Sequence, residues 1–289
     1  MALDQFKPTI WSRRFIVNTD KALVFRNVVN TNYQGEVAFG NILKINEIGD
    51  VTVSDYVAAT GVSWQDVDDA QKTLIIDQKK YFAFAVDDVD AVQMNVDIMD
   101  GVMQKAAFAV ADTIDKYIAA LYSQAGVTNA TNLGSAASGL NLYAKNMPDL
   151  ITYMHRYLDE ANAPKDRWCV APPWFMQLLK YAMIVNGASL LKGIDAPNAV
   201  NQYPAGLPGM GFNWFESNNV QVDSTNTEYA VMFGSYDALT YAGQLEKIEA
   251  VRRESYFADG MKGLYVYGAK AVRPDHLGVV YANFTALTT

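Results

Sequence analysis

From Asn41 the chain alternates apolar and polar residues with a period of two. NILKINEI and VTVSDYV carry the pattern, with Gly49-Asp50 as a kink or bulge between them. TLIIDQKKYFAFAV is a second long strand region, so the two stretches predict a long two-stranded hairpin. The intervening VAATGVSWQDVDDAQ is small and polar apart from Trp64 and reads as a loose tip. A two-stranded ribbon cannot bury both of its own faces and is marginal alone. It must lie on another surface, and the expected one belongs to another subunit.

The period then changes. Val96 to Tyr122 (VDIMDGVMQKAAFAVADTIDKYIAALY) predicts the longest helix, about 40 Å long, with Asp97 placed to cap it. The row Ile98, Val102, Ala106, Val110, Ile114, Ile118 advances by four and drifts around the helix. The apolar surface is therefore wide, which fits a helix laid along a sheet and excludes a coiled-coil seam. Small alanines at 106, 107, 109 and 111 allow a sheet to approach closely.

The second half is mixed. VTNATNLGSAASGLN is a loop or linker, and Pro148 opens a helix in PDLITYMHRYLDEAN. RWCVA is a short buried strand, and WFMQLLKYAMIV is a further helix. FNWFESNNVQV, EYAVMFGSY, ALTYAGQLEKIEAVR and KGLYVYGAKAVRP follow as strands and turns. Residues 1 to 35 read as an arm. Pro8 holds FKPTIW extended, and RRFIV and KALVFRNVVN are helical pieces with too little apolar face to fold alone.

Composition narrows the function. Hydrophobic residues make up 51% of the 289, enough for a substantial core. The net charge of −8 disfavours holding nucleic acid by phosphate neutralisation, so any contact with DNA is weak and non-specific. One cysteine, Cys169, excludes an intrachain disulfide. MALDQFKPTIW has no secretory h-region, and no apolar run reaches the ~20 residues that span a bilayer. A soluble protein made inside the cell is expected.

Candidate chemistry is sparse. Asp87, Asp88 and Asp90 gather where YFAFAVDDVDAVQ leaves its strand, as carboxylates do in Mg²⁺ enzymes. Further ligands are missing, and the same acids suit the start of the following helix. The structural reading stands ahead of the metal reading. Cys169 with His155 or His276 lacks any signature of a nucleophile pair, and there is no paired spacing for zinc. GLPGMG has the wrong spacing for a dinucleotide loop, and a strand follows it where a helix is needed. No Walker motif and no GxSxG occur. No catalytic residue, cofactor or metal is expected, and the protein reads as a non-enzyme whose function is assembly. The basic pairs Arg13-Arg14, Lys79-Lys80 and Arg252-Arg253 suit ion pairs between subunits.

The order of these elements resembles a tailed-bacteriophage major capsid protein of the Hong Kong ninety-seven fold, over almost the whole chain. FKPTIWSRRFIVNTDKALVFRNVVN resembles its N-terminal arm, and NILKINEIGDVTVSDYV with TLIIDQKKYFAFAVDDVDAVQ the two limbs of its E-loop. MQKAAFAVADTIDKYIAALY resembles the spine helix of the P-domain, and LYVYGAKAVRPDHLGVVYA the closing strand that returns to it. The resemblance implies an α+β fold in five parts: arm 1–35, E-loop hairpin 36–90, P-domain 91–145, A-domain 146–260 and return strand 261–289. It implies hexamers and pentamers in an icosahedral shell around packaged double-stranded DNA, located in the virion after assembly in the host cytoplasm. The implied partners are other copies of the chain, a portal, a separate scaffolding protein and decoration proteins. An encapsulin-type shell and a Mg²⁺-dependent phosphoryl-transfer enzyme are the alternatives. The expected contacts between subunits are Trp11, Arg13 and Arg14 in the arm, Thr60, Gly61, Val62, Ser63 and Trp64 at the hairpin tip, and Asp87, Asp88 and Asp90. The tip contains no Lys, so the family's Lys-to-Asn cross-link is not expected here.

Overall fold

The longest helix, α1 (Ile98–Ala119), continues into a 3-10 turn at Ala120–Gln124. It therefore keeps close to its expected limits but tightens over its last residues. Ile114 and Ile118 are buried, as the four-residue row requires. We describe the protein from a computed structural model, at residues 23–33, 42–48, 52–53, 69–87, 98–185, 207–209, 211–222, 228–253 and 257–284.

α1 lies on a three-stranded antiparallel sheet of β3 (Gln78–Asp87), β9 (Leu239–Arg252) and β10 (Ala258–Ala271), ordered β3-β10-β9. Tyr117 of α1 meets Tyr267 of β10 edge-on, with ring centroids 5.4 Å apart. Side chains alternate along each strand, so Tyr241, Tyr267 and Ala269 face α1 while Ala242 and Val266 face away.

A hairpin of β1 (Ile42–Ile48) and β2 (Asp69–Ile75) crosses that second face. Its register runs from Ile42 opposite Ile75 to Ile48 opposite Asp69. Leu74 and Ile76 pack with Leu43 on Ala242 and Val266. Gly268 makes the crossing feasible, because a Cβ there would sit 2.3 Å from the Ile75 carbonyl oxygen. Lys270 donates to the Thr73 carbonyl at 2.9 Å. Two sequence expectations change here. The described base of the ribbon packs on its own subunit. Its second limb is not one strand either: the run breaks at Ile76 and Asp77, after which β3 pairs with β10.

A mixed six-stranded sheet forms the rest, with β4 (Leu140–Leu142), β5 (Arg167–Ala171), β6 (Leu207–Gly209), β7 (Phe212–Glu216), β8 (Tyr229–Ser235) and β11 (Leu277–Phe284). Its order is β4-β11-β8-β5-β7-β6. Helices α2 (Met147–Glu160) and α3 (Pro173–Val185) pack on one face, against Cys169, Ala171, Phe212, Trp214, Phe233 and Val280. The end of α1 and residues 24–29 cover the other, against Trp168, Val170, Met232 and Val279. Both faces being covered explains why every residue of β5 is buried. Pro148 lies in the first turn of α2, as the sequence predicted.

The expected closing strand is two strands. Pro274–His276 form a 3-10 turn that sends β10 into the small sheet and β11 into the large one. GLPGMG holds the short strand β6 and the turn at Gly211 (φ +76°), which returns the chain antiparallel into β7. The second helical piece expected in the arm is a single 3-10 turn, Phe25–Val28, with Phe25 and Val28 buried.

Candidate functional site

The outer face of the three-stranded sheet lies partly uncovered among the described residues. Directly paired residues share a face. The rows Tyr81–Leu264–Lys247, Ala83–Lys262–Glu249 and Ala85–Gly260–Val251 therefore lie side by side, beyond the hairpin base. Tyr81 is 80% exposed, and Val251 and Leu264 are partly exposed. The small residues Ala83, Ala85 and Gly260 open a groove of about 370 Å³, flanked by Val251, Arg253 and Lys262.

The face is basic on an acidic protein. Lys79, Lys247, Lys262 and Arg253 share this face with one carboxylate, Glu249. Lys262 and Lys247 reach Glu249 at 2.9 Å and 2.5 Å. Those two ammonium groups lower its carboxyl to about 2. The hairpin has the opposite character. From Ile45 to Gln71 it carries Glu47, Asp50, Asp55, Asp66, Asp68 and Asp69, with no Lys, Arg or His. An open apolar groove with a basic rim is complementary in charge to an acidic protein segment.

Asp87 ends β3 opposite Ala258. Asp88, Asp90, Trp11, Arg13, Arg14, Thr60, Gly61, Val62, Ser63 and Trp64 lie outside the described residues. Among the described residues no three His, Cys, Asp or Glu side chains lie close enough to hold a metal ion. Cys169 is fully buried, and desolvation pushes its thiol well up, the opposite of what a thiolate nucleophile needs. His155 packs on Phe212 at 4.3 Å and contacts the Arg167 guanidinium, while His276 faces Asp237 at 3.4 Å. Both histidines sit in structural contacts. Among the described residues, no helix is long and apolar enough to cross a membrane.

Sequence reading missed one polar centre. Asp115 is buried on α1 between the arm root (residues 23–33) and the turn after β7. Burial pushes its carboxyl above the ordinary value, against hydrogen bonds from Asn219 and the Phe25 backbone that pull it down. The available signal was an acid adjoining Ile114 on the apolar side of the helix.

A family model described as phage capsid protein matches residues 70–282. The chain belongs to the phage capsid protein family. The match spans both sheets and all three described helices, so the open face belongs to a shell subunit rather than to an enzyme. Solved structures agree on the fold of this capsid protein. A chain from Mycobacterium phage Che8 is 28% identical, with a TM-score of 0.79 over 96% of this chain and 98% of its own. The capsid structure of the cyanophage P-SCSP1u gives a TM-score of 0.72 at 16% identity, over 99% of this chain and 95% of its own. The capsid of Ralstonia phage GP4 gives 0.70 at 12% identity, over 97% and 96%. No curated protein matches the sequence. This capsid protein is thus a major capsid subunit with an α+β fold, and its place is the virion shell.

Proposed function

We propose that this capsid protein forms the hexamers and pentamers of an icosahedral head, and that the acidic hairpin tip of one copy lies on the basic open face of the next. The observation carrying this reading is the charge contrast between the two surfaces. A basic groove with Tyr81 at its edge complements a tip whose charged residues are all acidic and which carries Trp64. Attraction of this kind steers assembly and is screened by salt over about 10 Å at 0.1 M.

The five parts proposed are an arm at 1–35, a hairpin at 36–90, a spine-helix domain at 91–145, an axial domain at 146–260 and a return segment at 261–289. Trp11, Arg13 and Arg14 join the neighbour from the arm, and Asp87, Asp88 and Asp90 from the end of β3. Packaged double-stranded DNA touches the shell only weakly, as suits a wall whose subunits each carry a net charge of −8. A portal, a separate scaffolding protein and decoration proteins complete the particle, which assembles in the host cytoplasm.

Negative-stain microscopy of the purified protein, with and without scaffold, tests the reading. Shells or capsomers are expected; a compact monomer under every condition would overturn it. Trp64→Ala is expected to lower the shell's melting temperature. A shell of unchanged stability would remove Trp64 from the contact.

A further inference from the structure

Three segments distant in sequence converge on one carboxylate. The Phe25 backbone N–H donates to Asp115 Oδ1 at 2.8 Å. The N–H groups of Val24 and Arg26 face the same carboxyl. The Asn219 side-chain amide donates to Asp115 Oδ2 at 2.8 Å and to Asp112 Oδ1 at 2.9 Å. Asp112 is held in turn by Lys116 at 2.8 Å. Arm root, α1 and the turn that follows β7 thus share one polar node.

The node leaves little freedom. Both amide hydrogens of Asn219 are directed at carboxylates, so turning the amide over would aim its oxygen at two anions. The Asn219 backbone N–H is tied to Ser217 Oγ at 3.1 Å, and the Ser217 N–H to the Ala171 carbonyl of β5 at 3.0 Å. The amide therefore moves with the large sheet. The arm root has a second, separate tether: Asn30 exchanges backbone hydrogen bonds with Leu239 and Tyr241 of β9, at 2.8 Å and 3.0 Å. Its Phe25 end answers to Asp115, and its Asn30 end to the small sheet.

We propose that the Asp115 node couples the two ends of the subunit, so that the seating of the six-stranded sheet on α1 and the exit of the arm are one variable. A sheet that rocks on α1 carries Asn219 with it. Asp115 then loses its Asn219 anchor, and its grip on the Phe25 turn loosens. The arm root responds to the sheet through Asp115. In a shell, where one sequence fills several environments, each arm leaves in the direction its own subunit's geometry dictates. That last consequence rests on the assembly reading; the coupling is a property of the single subunit.

Hydrogen exchange on the unassembled subunit tests it with Asn219→Ala, which leaves the Asp115 carboxylate and the Phe25 N–H that it holds in place. Exchange at the Phe25 amide is expected to rise about tenfold, the effect of losing one buried hydrogen bond. The Asn30 and Tyr241 amides are expected to keep their rates. Asp115→Ala should raise Phe25 exchange further. Asp112→Ala, at the outer edge of the node, guards against misfolding of the first variant and should raise Phe25 exchange by a smaller factor. A Phe25 rate equal to wild type in folded Asn219→Ala and Asp112→Ala overturns the coupling. A faster Phe25 amide supports it even if the wild-type protein forms no particles, a result that would sink only the assembly reading.

Discussion

The two sheets are built from similar strands but differ in what covers them. The six-stranded sheet is closed on both faces, and β5 at its middle has no exposed residue. Among the described residues, the three-stranded sheet is closed on one face by α1 and on the other only where the hairpin base crosses Val266 and Ala242. Even under α1 the packing is partial: Phe82, Ile248, Met103, Ala107 and Val110 surround a cavity of about 220 Å³ with Arg26 on its wall. Burial on both faces stabilises a subunit from within. Burial on one face leaves surface whose free energy of covering is released only on association.

The contrast predicts different outcomes for equal injuries. The largest is expected in the closed sheet. Phe233 is fully buried, and Phe233→Ala should cost about 3–5 kcal/mol, read as a lower melting temperature of the unassembled subunit. A cost below about 1 kcal/mol would show that this sheet is less closed than described. Next comes Leu74→Ala under the hairpin base, at about 2–3 kcal/mol for a small cluster. It should loosen β1 and β2 while the near-ultraviolet spectrum of the large sheet persists. Equal loss of both would merge the two regions into one cooperative unit.

Charge reversal on the open face follows. Lys79→Glu with Lys262→Glu should leave the subunit's melting temperature nearly unchanged and raise the concentration needed for assembly about tenfold, or about 1.4 kcal/mol. Light scattering against concentration measures it, and assembly at wild-type concentrations would close the proposed contact. The smallest effect is titration of Asp159. It accepts Lys165 at 2.8 Å and the buried Arg167 at 2.6 Å, and these cations lower its carboxyl to about 2. A lowered carboxyl gives stability that is present above its unfolded value near 4 and is lost as pH falls through 2. Asp159 is half exposed, so screening keeps the contribution below about 1 kcal/mol. Asp159→Asn should flatten the melting temperature between about pH 4 and pH 2.

Local pattern made much of this legible. The four-residue row located α1, Pro148 located α2, and RWCVA announced a short buried strand. Pairing was not legible. TLIIDQKKYFAFAV reads as one long strand region, yet β2 pairs with nearby β1 and β3 with β10 far along the chain. Alternation reports which face is buried and is silent about the partner. The split between β10 and β11 did leave a local mark, the turn-forming Arg273-Pro274-Asp275. The open face was hidden for a different reason. Its lysines and its small residues come from three strands, and only the register brings them together.

The short turn at Pro274–His276 has a mechanical consequence. It joins β10 end to end with β11, so tension along the small sheet enters the large one along a strand. β11 is bonded to β4 on one side and β8 on the other, and those bonds run across the pull. A strand pulled along its length loads its cross-bonds in shear, where they resist together; one peeled from an end gives them up one at a time. A wall built from such subunits would stretch at its open sheets well before its closed sheets let go.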